Sequence, residues 1–310
     1  MKECKICLLG ENIPNIQFNK KGECSYCSKH FLLDNHYQNL KKKNYLEKKI
    51  EQIKKFKTNT NYNCLIGVSG GVDSIYTLFL AKKYDLKPLV VHFDDGWNNR
   101  ISVKNIKNAV EEFGFDYETY VADWEEIKSL YRSFFKASVP DPGVPGDIAI
   151  FGTLIKLAKE EGIKYIISGQ NFRNEGTQPL DWSFIDGGYI NIINKNFENI
   201  KLSNFPNITQ LGIAKALYID KINFFPILNF IDYEKNKAKQ ELNKICKWED
   251  YGGHHHENYL SIFINNYYNI EKFNINRKLI TYSAQIRGKL VNKDEARNLI
   301  ENESQIDQQT

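Results

Sequence analysis

Between residues 64 and 230, short runs of uninterrupted apolar residues alternate with stretches of helical period. Cys64-Leu65-Ile66-Gly67-Val68 predicts a buried strand, with a helix over 74–83 behind it. The same alternation predicts strands over 89–93 and 117–121 and helices over 101–113 and 124–136. Pro140, Pro142 and Pro145 crowd one loop, and Asp147 is placed to cap a helix over 148–161 that Gly162 stops. Tyr165-Ile166-Ile167-Ser168 predicts a fourth strand and 222–228 a fifth, after which Asp232 should cap a helix reaching about 245. Strands that are apolar throughout and separated by helices predict a parallel sheet covered on both faces. Between 187 and 221 the period fades and predicts no element. From Trp248 the chain is aromatic-rich and largely helical, and the polar tail from Glu301 is expected to fray.

Upstream of the sheet, 41–57 carries eight lysines against two glutamates, with Leu46, Ile50, Ile53 and Phe56 at helical spacing. This predicts an amphipathic linker helix whose lysines form a solvated face. Before it stand Cys4, Cys7, Cys24 and Cys27, two C-x2-C pairs sixteen residues apart. Such pairs bring four thiolates to one tetrahedral ion, and a site filled by four sulfurs is closed, so the expected zinc is structural. Cys64 and Cys246 stand alone and read as buried apolar residues. The divisions expected are a zinc module at 1–32, the basic linker at 33–60, an α/β domain at 61–230 and a helical region at 231–310.

Composition narrows the class. A chain of 310 residues with 42 % hydrophobic and 26 % charged residues is neither fibrous nor wholly disordered. No apolar run approaches the roughly 18 residues of a membrane span, so no membrane insertion is expected. The first residues have no apolar signal core, and a cytoplasmic location with reduced thiols follows. A net charge of +4 without an Arg-rich, aromatic-interleaved segment argues against nucleic acid as the partner.

The chemistry begins at Ser69-Gly70-Gly71-Val72-Asp73-Ser74, between the first strand and its helix. Two glycines permit a sharp turn that brings N–H groups onto an anion, and the helix N-terminus and two hydroxyls add to the cradle. Asp73 belongs beside phosphates only if a divalent cation such as Mg2+ joins them. The loop is not a Walker A, since it has no lysine.

This loop resembles the PP-loop of the N-type ATP pyrophosphatases. The resemblance implies a five-stranded parallel sheet of the adenine-nucleotide hydrolase type and ATP cleaved between its α- and β-phosphates. It places ATP against Val68, Ser69, Gly70, Gly71, Asp73 and Ser74, against His92, Phe93 and Asp94 after the second strand, and against Gly169 and Gln170 after the fourth. Trp248-Glu249-Asp250-Tyr251-Gly252-Gly253, with His255 and Glu257, is similar to the ending of the N-acetyl sugar amidotransferases of surface-polysaccharide (lipopolysaccharide, O-antigen) biosynthesis. Phe273, Arg277-Lys278, Ser283, Gly288, Glu295-Ala296, the cysteine pairs and the Pro-rich loop before Asp147 share that likeness, which spans nearly the whole chain. In that family a lysine follows the two glycines and an aromatic precedes the glutamate; His254 and His256 stand there instead.

The family implies conversion of a nucleotide-linked acetamido sugar into an acetamidino sugar. ATP adenylates the amide oxygen, ammonia attacks carbon, and AMP leaves. Substrate contacts would come from Asp147, Trp248, Asp250, Tyr251, Gly252 and Gly253, and proton handling from His255 or Glu257. No cysteine lies on a strand-to-helix elbow, so ammonia is expected from a separate glutaminase subunit; monomer and homodimer both stay open. The rivals are a PP-loop enzyme that thiolates or aminates tRNA, and a non-catalytic nucleotide sensor.

Overall fold

The computed structural model describes residues 2–253 and 255–303. Its centre is a sheet of five parallel strands: β1 (Cys64–Val68), β2 (Pro88–Asp94), β3 (Asp116–Val121), β4 (Tyr165–Ser168) and β5 (Asn223–Pro226). Their order is β3-β2-β1-β4-β5. The chain winds outward from β1 to β3, returns to β4 on the other side of β1, and thereby opens a crevice at the carboxyl ends of β1 and β4. Open α/β sheets bind their ligands at such a reversal.

Fourteen α-helices surround it among the described residues. In chain order they are α1 (Ser25–Lys42), α2 (Tyr45–Lys55), α3 (Val72–Lys83), α4 (Arg100–Phe113), α5 (Trp124–Lys136), α6 (Val144–Glu160), α7 (Phe172–Glu175) and α8 (Gly187–Phe197). Then follow α9 (Gln210–Tyr218), α10 (Lys235–Cys246), α11 (Tyr259–Phe263), α12 (Asn269–Phe273), α13 (Lys278–Arg287) and α14 (Lys293–Glu303), with a π-turn at Ile264–Tyr268. One face of the sheet packs Ile66, Val68 and Val90 on α2, α3, α4 and α10 through Ile53, Ile75, Ile106 and Leu242. The other packs Leu65, Leu89, Val91 and Ile166 on Leu154 and Ile155 of α6 and Ala216 of α9. Both faces are covered, as parallel strands require.

Several expectations need correction. The third strand is not apolar: it is an edge strand whose Asp116, Glu118 and Thr119 face solvent, the polarity that blunts edge pairing. Asp147 does not cap its helix. α6 starts at Val144, with Pro145 in the first turn where its missing N–H costs nothing. Asp232 likewise stands outside α10, whose N-cap is Glu234, and pairs with Lys41 at 2.6 Å. The basic stretch 41–57 is two helices in part, because Asn44 takes a left-handed φ of +52° between α1 and α2. The unassigned stretch 187–221 holds α8 and α9. Residues 248–257, expected in a helical region, are irregular backbone where described. His254 and the tail beyond 303 lie outside the described residues, while 301–303 still belong to α14.

Candidate active site

The turn from β1 into α3 is locked by its own side chains. Gly70 has φ +82°, and a Cβ there would lie 2.1 Å from the Ser102 carbonyl oxygen, so only glycine lets α4 approach. The Ser74 hydroxyl accepts from the Ser69 N–H at 3.3 Å and donates to the Gly71 carbonyl at 2.9 Å; Ser69 Oγ accepts from the Gly71 N–H at 3.4 Å. The two hydroxyls therefore shape the loop, where the sequence suggested free donors. From outside, Trp248 donates its indole N–H to the Gly70 carbonyl at 3.0 Å. Gly169, after β4, presses on α3, where a Cβ would come within 2.7 Å of the Asp73 carbonyl oxygen.

Asp73 opens on the crevice with both carboxylate oxygens engaged. Tyr233 donates to Oδ1 at 2.5 Å, and Lys235 Nζ lies 3.4 Å from Oδ2. Lys235 is the first residue of α10, so the cation missing from the loop arrives from another element. Burial alone would lower its pKa, but the charges of Asp73, Glu175 and Glu257 hold it raised. Glu175, at the end of α7, is pushed up to about 7 by burial and then by the Asp73 charge. His255 and Glu257, also on the cleft wall, stand 3.4 Å apart. Burial opposes the charge on both, yet their mutual hydrogen bond and attraction prevail: His255 is raised and Glu257 lowered. Tyr251 hangs over the loop, its hydroxyl 2.9 Å from where a Cβ on Gly71 would sit. Burial and then Glu257 push this phenol well up.

These groups line one cleft of about 700 Å³. Val68, Ser69, Gly71, Asp73, Ser74, His92, Phe93, Gly169, Gln170, Asp147, Asp250, Tyr251, Gly252, Gly253, His255 and Glu257 all lie on its wall. Trp248 reaches the wall but is 97 % buried, and its indole serves the loop (relative exposure 3 %). Gly70 stands behind the wall. So does Asp94, whose Oδ1 accepts from the Gly96 N–H at 2.9 Å and the Asn98 amide at 2.8 Å, shaping the turn after β2. His92 Nδ1 meets the Val68 carbonyl at 3.0 Å and must carry the proton there, because a carbonyl only accepts. Asp147 faces the cleft, and its carboxyl is pushed up to about 7 by the surrounding walls and then by Asp141, itself paired with Arg277 at 3.1 Å.

Lys235, Glu175 and Tyr233 escaped sequence reasoning. Lys235 is one lysine in a lysine-rich chain, Glu175 ends a four-residue helix, and neither has a local motif. The residues over 248–257 were found, but their attachment was not: Asn105 exchanges hydrogen bonds with Glu249, and Asn99 N–H donates to the Glu257 carbonyl at 2.8 Å. The segment is thereby stitched to α4 and to the loop.

Away from the cleft, Cys4, Cys7, Cys24 and Cys27 are buried with their sulfurs all within 4.8 Å. Four of the edges measure 3.6–3.7 Å. Four thiolates gathered this closely could hold one metal ion. Arg287 of α13, itself buried, donates to Cys7 Sγ at 3.5 Å, and the Leu8 N–H donates to Ser283 Oγ at 3.2 Å. The opposite side of α13 offers Thr281 and Gln285 to the cleft. Gln285 also donates to the Asn174 carbonyl of α7 at 3.4 Å, next to Glu175.

No protein-family model matches the chain. An uncharacterized protein of Methanocaldococcus jannaschii is 25 % identical over 169 residues, 54 % of this chain and 58 % of that protein; the chain thus spans less than two thirds of its relative's length. Among solved structures, the NH3-dependent NAD synthetase of Campylobacter jejuni aligns over 68 % of this chain and 93 % of its own, with 16 % identity and a TM-score of 0.35. The NMN synthetase of Francisella tularensis aligns over 74 % and 94 % (14 % identity, TM-score 0.30). The U34-tRNA thiolase NcsA of Methanococcus maripaludis, solved with its 4Fe–4S cluster, aligns over 79 % and 82 % (13 % identity, TM-score 0.27). Likeness at this level says nothing of substrate.

Proposed function

We propose that the chain is an ATP-dependent, AMP-forming amidotransferase that turns the acetamido group of a nucleotide-linked sugar into an acetamidino group. The observation that carries the reading is one cleft in which a Gly-rich loop with Asp73 and Lys235 adjoins a group of titratable side chains, Glu175, His255, Glu257 and Tyr251.

An amide carbon is a poor electrophile and its oxygen a poor leaving group. Attack of that oxygen on the α-phosphorus forms an O–P bond and breaks the bond to pyrophosphate. Loop N–H groups and Lys235 face the charge that moves onto pyrophosphate. Lys235 would then exchange Asp73 for phosphate. Asp73, with the phosphates, offers the setting that Mg2+ takes, and Mg2+ bound there would neutralise phosphate charge. Ammonia attacks the imidate carbon, the C–O bond breaks, and AMP departs. Glu175, a buried carboxyl on the cleft wall, is assigned the proton that ammonia gives up.

No cysteine lies among the described residues of the cleft wall, which leaves sulfur transfer without a carrier there. Ammonia comes from a separate glutaminase, and the four N-terminal cysteines hold zinc. The test is direct: with ATP, Mg2+, ammonium and a panel of nucleotide-linked N-acetyl sugars, AMP and pyrophosphate should form and the sugar should lose about one mass unit. ADP and phosphate as products would refute the adenylation. Modification of tRNA with no sugar turning over would refute the acceptor.

A further inference from the structure

Two tryptophans stand next to residues of the cleft wall, with much of their rings in solvent. Trp97 follows β2 and is 37 % exposed; Trp124 opens α5 and is 44 % exposed. The ring centroids lie 6.0 Å apart with 47° between the planes. The chain's other tryptophans, Trp182 and Trp248, are buried. Two indoles that touch each other and stay in water form a contiguous apolar patch, the kind of surface on which a flat ligand can bind.

Both are held in place. The Trp97 N–H donates to Asp95 Oδ1 at 3.1 Å, and its carbonyl accepts from the Tyr259 N–H at 2.8 Å. Asp95 is fixed in turn by the Tyr131 hydroxyl at 2.7 Å and the Asn258 amide at 3.0 Å. The Trp124 ring lies on Gly96, where φ is +84° and a Cβ would be 3.0 Å from the ring. Lys128 sits 5.7 Å from the centroid of the same ring. Asp95 and Asn98, either side of Trp97, line the cleft, as do Asn258 and Leu260 either side of Tyr259. The pair therefore stands beside the cleft wall, next to the turn that follows β2.

We propose that Trp97 and Trp124 form a stacking site for the nucleobase of the acceptor's carrier nucleotide, separate from the site that takes ATP. The inference rests on the sugar-nucleotide reading above. The acetamido group has to reach the α-phosphate inside the cleft, so the nucleoside at the far end of the same molecule is left at the rim. A base has a flat π-face and stacks on indole whatever its hydrogen-bonding edge.

The test fills the loop with α,β-methylene-ATP and Mg2+ in the full chain, then titrates UDP, CDP, GDP, dTDP and UDP-N-acetylglucosamine by calorimetry and tryptophan fluorescence. At least one should bind and quench the exposed indoles. Trp97→Ala and Trp124→Ala should each raise its Kd about 5- to 150-fold, with the affinity for the ATP analogue unchanged. The Phe variants should recover most of the affinity while losing the replaced indole's share of the quench. Binding with the same Kd in both Ala variants would overturn the stacking site and leave the sugar-nucleotide reading standing. If none of the five binds, both fall. Binding of an oligoribonucleotide, weakened by the same variants, would then make RNA the occupant.

Discussion

At the scale of single residues, the site depends on charges that hold one another. Asp73→Asn removes the carboxylate that Tyr233 and Lys235 share. Pyrophosphate release should fall by about 10²- to 10³-fold, with thermal unfolding little changed because the pair opens on the cleft; near-normal release would remove Asp73 from the machinery. Glu175 makes a prediction about pH. Its native pKa of about 7 lies above the ordinary value of 4.5, so the folded protein keeps a proton that the unfolded chain gives up. This group's stabilising contribution is full below about pH 4.5 and is lost as pH rises to 7, in total up to about 3 kcal/mol. Glu175→Gln should therefore be more stable than the wild type at pH 8 and no different at pH 4. With free ammonia held constant across the range, the variant should also lose the rise in amidine formation between pH 6 and 8, because its amide accepts no proton. A wild-type rate that is flat over that range would take the base role from Glu175.

Between elements, the decisive contacts are those a linear pattern does not carry. The loop at 69–74 was legible because strand, turn and helix are contiguous there, and the tetracysteine cluster because its spacing is local. Lys235 and Glu175 were not, since α10 and α7 are brought to the loop by the winding of the sheet. α8 and α9 were invisible for a different reason. Apolar residues also stand on their solvent sides, Ile192 opposite the face that buries Ile190 and Ile193, and Leu211 in the helix that buries Ala216, so the period is blurred. The Asp147 cap failed because a proline is welcome in the first helical turn, which moved the start of α6 upstream. The cysteine site also acts at this scale. Arg287 and Ser283 tie it to α13, and α13 packs through Ile280 and Ala284 against Gly176 at the end of α7. Stripping the metal with a chelator, or the Cys4→Ser, Cys24→Ser double variant, should remove about one equivalent of zinc. Amide exchange should then quicken in α13 and α7 before it does in β1 and β2. Loss of metal with unchanged exchange in α13 would show the two to be independent.

Across the whole molecule, the sheet sits between two regions that close on each other, the N-terminal cysteines and the C-terminal helices. None of the described helices is long and apolar enough to cross a membrane. The Leu8 N–H and the Ser283 hydroxyl that accepts it are 275 positions apart in sequence. Ile275 and Ile280 share the apolar cluster that encloses the four cysteines. A ribosome delivers the cysteines well before the helix that covers them. At about 5–20 residues per second the interval between them is on the order of 14 to 55 s. For that time the nascent thiols have neither Arg287 beside them nor α13 over them. Early capture of a metal ion during translation would shield them from oxidants until α13 arrives, and would tie the yield of folded protein to the supply of that metal.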